Sequence, residues 1–159
     1  MTIFPPLIFI AVLLSGIIAG VFFTFSTFVM PALSALPSET GIASMQSINV
    51  SVVKSLFIIV FMGITVLSIA LGVMAILKWG QPGMSVLLAA SIFNVVGSFL
   101  VTMAFNVPLN EALAAVVPQS VEGAEMWTRY LHDWTLWNHV RTISTLLASG
   151  GFMYTLINL

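Results

Sequence analysis

The sequence predicts an all-α integral membrane protein, a four-helix bundle, and three observations predict it. Of its 159 residues, 60% are hydrophobic and only 6% are charged. The mean hydropathy is +1.15. The apolar residues gather into four runs of spanning length, separated by most of the charged ones. A soluble domain carries roughly 25% charged residues to keep its surface in water, and four Lys/Arg with five Asp/Glu cannot clothe a globule. A net charge of −1 excludes phosphate-backbone recognition, so no nucleic-acid partner is expected. The absence of cysteine excludes disulfides, thiolate nucleophiles and Cys-ligated zinc or iron–sulfur centres.

In hydrocarbon a segment must satisfy its own backbone N–H and C=O groups, so apolar runs of about 20 residues read as spanning helices. Residues 7–33 carry no charge and exceed the length a ~30 Å core requires, so this helix should tilt or project. No Lys or Arg precedes it and it outruns a leader's apolar region, so it reads as a span. Residues 55–77 lie between Lys54 and Lys78, and residues 84–105 follow a Gly80-Gln81-Pro82-Gly83 turn; the two form an antiparallel hairpin. The last apolar run, 142–159, is short, and its helix extends back toward Met126, with the span taken as about 137–159. One domain, 1–159, is therefore expected, with loop-side polar segments at 34–53 and 106–136. Both termini share the side of the 79–83 turn. Lys78 marks that side, against Lys54, Arg129 and Arg141 on the other; the reading adopted is a multi-pass cell-membrane protein with cytoplasmic termini.

Gly16, Gly20 and Thr24 recur every four residues, a face that admits close helix approach. On the third span, Ser91, Asn94, Ser98, Thr102 and Asn106 share one third of the helix circumference. That seam serves either interhelical hydrogen bonds or the wall of a polar cavity. Further on, Trp127, Tyr130, Trp134, Trp137, Asn138 and Arg141 project within about 100° of one another, and Thr145 and Ala148 continue the face inward. Opposite them, Glu125, Arg129 and Asp133 read as a solvated ion-pair ladder. An interfacial aromatic belt accounts for Trp127 and Tyr130. It does not account for Arg141, which is costly at its depth unless it faces a polar interior; snorkelling to the interface is the competing reading. His132 and His139 lie about 10 Å apart on one helix face and cannot share an ion. Bis-His haem would need a histidine on each of two helices. Metal is disfavoured, with a site completed by carboxylates left open.

The stretch Gly20-Val-Phe-Phe-Thr-Phe-Ser-Thr-Phe-Val-Met-Pro-Ala-Leu33, then Met45-Gln-Ser-Ile-Asn49, Asn106-Val-Pro-Leu-Asn110 and Trp134-Thr-Leu-Trp-Asn-His-Val-Arg-Thr142, resembles in that order the anthrone oxygenase-like family of small four-helix membrane proteins. The resemblance implies oxidation of anthrones to anthraquinones in polyketide pathways, without metal or flavin. Asn49, Asn106, Asn110, Trp134, Asn138 and Arg141 match the family pattern, with His139 beside them. Arg141 with Asn138 and Asn106 would stabilise an anion, Trp134 and Trp137 would stack on rings, Asn49 and Asn110 would bind substrate, and His139 or Asp133 would be the base. Expected partners are membrane lipid and a hydrophobic small molecule, with a homo-oligomer left open. The alternative is a non-catalytic membrane module holding a lipid, quinone or partner subunit in the same cavity.

Overall fold

Five helices carry the chain in the computed structural model, which describes residues 4–159: α1 (Phe4–Ser34), α2 (Ser38–Val53), α3 (Leu56–Leu77), α4 (Met84–Ala114) and α5 (Val121–Ile157). No strand occurs among the described residues. Local chemistry sets the boundaries. Pro37 separates α1 from α2 and leads into Ser38. The Ser55 hydroxyl accepts from the Phe57 N–H at the start of α3, and Ser120 accepts from Gly123 N–H at the start of α5. Gly83, at φ 79°, makes the left-handed turn before α4 that a side chain would oppose.

Two expectations are revised. Residues 34–53 are mostly helix rather than a connecting segment, because Ile42 and Met45 of α2 bury against Trp127 and Tyr130. The second polar segment is likewise mostly the helical ends of α4 and α5. Three helices, α1, α3 and α4, are long and apolar enough to cross a membrane. The fourth expected span lies within α5, which falls short of that standard because Arg141, Thr142, Ser144, Thr145 and Thr155 interrupt it. All five are buried: α5 packs against both α1 and α4 and turns its polar atoms toward them.

Two hydrophobic clusters divide the molecule. One, around Ile8, Ile18, Ile64, Leu71, Leu87 and Phe152, joins the apolar helices. Water-driven burial does not hold helices together inside a bilayer, so close packing must do so. A Cβ on Gly151 would lie 2.8 Å from that of Ala90, which shows how near α4 and α5 approach. On α1 the buried small face is Ala11, Ser15 and Ala19; of the expected Gly16, Gly20 and Thr24, Gly16 faces Ser149 of α5, whereas Gly20 is exposed with nothing against it, and Ser149 donates to the Val12 carbonyl at 3.2 Å. The second cluster, around Met30, Ile42, Met45, Leu113, Trp127 and Tyr130, joins α2 to the loop-side ends of the longer helices.

Candidate functional site

Helical spacing places Trp134, Asn138, Arg141 and Thr145 of α5 on one inward face, and all four are buried. Arg141 is 5% exposed. Its Nη2 donates to Asn138 Oδ1 at 2.7 Å and its Nη1 to Thr102 Oγ1 at 3.2 Å. The guanidinium carbon stands 4.3 Å from the Phe22 ring centroid and 5.1 Å from that of Trp134, within cation–π range of both. Asn138 is fixed in turn: its Nδ2 donates at 2.7 Å to the Phe22 carbonyl and at 2.7 Å to Ser26 Oγ. Those donations leave the amide oxygen facing the cation.

Irregular helix surrounds this cluster. A π-helical turn occupies Phe25–Val29 of α1, and two more occupy Val95–Leu100 and Thr102–Asn106 of α4. Such turns insert a residue into the α-helical ladder and gather at functional sites. Here they deliver Ser26, Thr102 and Asn106 to α5, and the Phe22 carbonyl accepts a side chain from another helix.

A cavity of about 150 Å³ lies against the guanidinium. Asn49, Thr102, Asn110, Trp134, Asn138 and Arg141 form its polar side; Phe22, Phe25, Phe57 and Phe61 are among its apolar walls. Three buried N–H donors on the lining side chains have no hydrogen-bond partner: Asn49 Nδ2, Trp134 Nε1 and Arg141 Nε. The ion pairs among the described residues join Arg129 and His132 to Asp133, and none reaches Arg141. A buried cation without a carboxylate, beside unused donors, can accept an anion or an oxygen-rich ligand.

Tyr130 backs the Asn110 part of the lining. Its hydroxyl donates to Asn110 Oδ1 at 2.7 Å, and its ring stacks between Trp127 and Trp134 at 5.7 Å from each. Burial pushes the phenol's pKa up, opposed by the nearby Asn49 amide and by the charge of Arg141. Tyr130 therefore stays neutral and holds Asn110.

The structure sorts the expected site residues into two groups. Asn49, Asn110, Trp134, Asn138 and Arg141 line the cavity, and Asn106 adjoins it by donating to the Trp134 carbonyl at 3.2 Å. Trp137 does not line it; the ring stacks on Phe105 at 3.6 Å and faces a separate outer groove with Arg129 and Asp133. His139 is exposed and lies outside the cavity lining, one position round the helix from Asn138. Asp133 sits in the outer groove, where His132 first and Arg129 second hold its carboxyl below the usual range. Neither suggested base reaches the cavity. Phe22 and Ser26 are not singled out by the sequence, which places Tyr130 on this face but assigns it to an interfacial belt. Ser26 and Phe22 stand in the quoted first-span stretch, where a hydroxyl amid four phenylalanines is the available signal. Among the described residues, no three His, Asp or Glu gather where they could hold a metal ion.

Fold and site together define a helical protein with membrane-grade apolar helices around a cationic, aromatic-walled cavity. A family model described as Anthrone oxygenase matches residues 54–151, and the chain belongs to that family. The match spans α3, α4 and α5 as far as Gly151, and so includes Asn106, Asn110, Trp134, Asn138 and Arg141; Asn49 and all of α1 precede it. No curated protein and no solved structure matches the chain.

Proposed function

We propose that α1, α3, α4 and α5 cross the cell membrane as one four-helix bundle, with the termini and the 79–83 turn on the cytoplasmic side. The cavity takes a planar, lipophilic phenol or anthrone as its anion and holds it for oxidation by molecular oxygen, with no metal or flavin. One observation carries this reading: Arg141 is buried without a carboxylate, while its own Nε and two further N–H donors of the cavity lining, Asn49 Nδ2 and Trp134 Nε1, lack acceptors. An anionic ring oxygen would satisfy both at once.

Stabilising the anion is the main task of such a site. An anthrone that loses a proton from its ring carbon becomes an electron-rich anion able to reduce oxygen. Overall, one methylene and one O2 give one carbonyl and one water. Arg141 favours the charged form electrostatically, Asn138 fixes the guanidinium, and Phe22, Phe25 and Trp134 flank the rings. The ring-carbon proton passes to water at the headgroup level as the ligand enters, and the guanidinium pairs with the ring oxygen on which the anion's charge then rests.

The cavity lining contains no His, Asp or Glu. That observation favours a second reading, in which the same site holds an anionic lipophile or quinone without turnover. Oxygen uptake by the purified protein with anthrone separates the two. The oxygenase reading expects about one O2 consumed per anthrone above the spontaneous rate, and loss of that excess in Arg141→Met. Saturable binding with uptake at the spontaneous rate establishes the second.

A further inference from the structure

Among the side chains that line the Arg141 cavity, Val53 stands apart: it is 66% exposed, whereas Phe22, Met45, Phe61, Trp134, Asn138 and Arg141 are buried and the remainder half-buried. Val53 is the last residue of α2. Lys54 and Ser55 join it to α3, whose first turns contribute Phe57 and Ile58 to the same cavity. The cavity therefore reaches the surface at the corner between α2 and α3. Val50 and Leu56, both exposed, flank that corner with further apolar surface. Tyr130, hydrogen-bonded to Asn110, backs the Asn110 part of the lining. Lys54, with the exposed Ser51 and Ser55, gives the mouth a polar edge suited to the headgroup level, against the apolar edge of Val50, Val53 and Leu56.

We propose that this corner is the route by which ligand enters and leaves, and that it opens onto lipid instead of water. A lipophilic compound dissolved in the bilayer passes between Val53 and Ile58 to reach Arg141. This rests on the reading of the cavity as a binding site for a planar lipophile. Volume supports it: an apolar space of about 150 Å³ holds roughly one aromatic ring. A ligand of two or three fused rings extends through the mouth, so Val53 touches its far end and helps set the size accepted.

The chain has no cysteine, so Val53→Cys provides a single thiol at an exposed position that should not disturb folding. In phosphatidylcholine vesicles, the thiol at position 53 should react faster with a membrane-dissolved pyrenyl maleimide than with a charged aqueous one. Val117→Cys, exposed in the link before α5, should show the opposite order. The same order at both positions overturns the lipid-facing mouth, whatever the ligand is. For gating, anthrone binding is followed by tryptophan quenching. Pyrenyl modification at position 53, or Val53→Trp, should slow association by about tenfold. Unchanged rates in both overturn the route while leaving the binding site intact. If unmodified protein shows no anthrone quenching, the proposed ligand is wrong, and the maleimide order alone then decides the mouth.

Discussion

Arg129 and Arg141 occupy the same helix and have opposite surroundings. Arg129 is on the outer groove, with its side chain 70% exposed and paired to Asp133 at 3.2 Å. Arg141 is buried against aromatic rings and meets an amide and a hydroxyl, but no carboxylate. The outer pair is screened by water and contributes little to either stability or recognition. A carboxylate beside the inner arginine would have made a structural salt bridge; its omission leaves the charge available. The difference teaches that charge alone does not mark a site, whereas charge left without a partner does.

The sharpest break in the comparison is Arg141→Lys against Arg129→Lys. A lysine keeps the charge but loses the planar fork that reaches Asn138 and Thr102 together. Ligand binding and any turnover should fall by about 100-fold in Arg141→Lys and change by less than about twofold in Arg129→Lys. Titration of both variants in one detergent checks this, and equal effects would erase the distinction between the two arginines. A subtler change comes from Asn138→Asp, which would put a carboxylate where the amide oxygen now stands, 2.7 Å from Nη2. Arg141 would then be neutralised as Arg129 is. Anion binding should weaken by about tenfold or more while the helical spectrum is kept; retained binding would show that the unpartnered charge is not what the ligand uses.

The smallest effect concerns the outer pair. The Asp133 carboxyl is held low by His132 and Arg129, so its contribution is present above its ordinary pKa and is lost as pH falls through the lowered value. Acidification through that window should loosen the Asp133 contacts, seen by NMR of the adjoining amides, and Asp133→Asn should abolish that titration. Binding measured at neutral pH should be unaffected by Asp133→Asn. A variant that altered it would tie the outer groove to the cavity.

Much of the inner site was legible because helical periodicity is a local property. Trp134, Asn138, Arg141 and Thr145 follow one another at three- and four-residue steps, which fixes a common face without tertiary information. The same arithmetic grouped Trp137 with them, and the structure turns it outward onto Phe105, because a face about 100° wide straddles cavity and groove. The seam Asn94, Ser98, Thr102, Asn106 repeats strictly every four residues, a spacing that drifts by about 120° over three steps in a regular α-helix. The π-helical turns of α4 wind that drift back, and nothing in the local composition announces them. Helix α2 was hidden for another reason: its Ser-rich sequence is too polar to read as a span, and its buried Ile42 and Met45 gain meaning only beside Trp127.

The unpaired guanidinium also has a thermodynamic consequence. Confining a charge without an opposite charge weakens a fold, so a compound supplying that charge is registered as resistance to heat. At a concentration of 100 times Kd, binding to the folded state alone adds about 2.7 kcal/mol to stability. Screening anionic lipophiles for a rise in melting temperature, with Arg141→Met as the silent control, would therefore find the natural occupant of the cavity without any knowledge of the reaction.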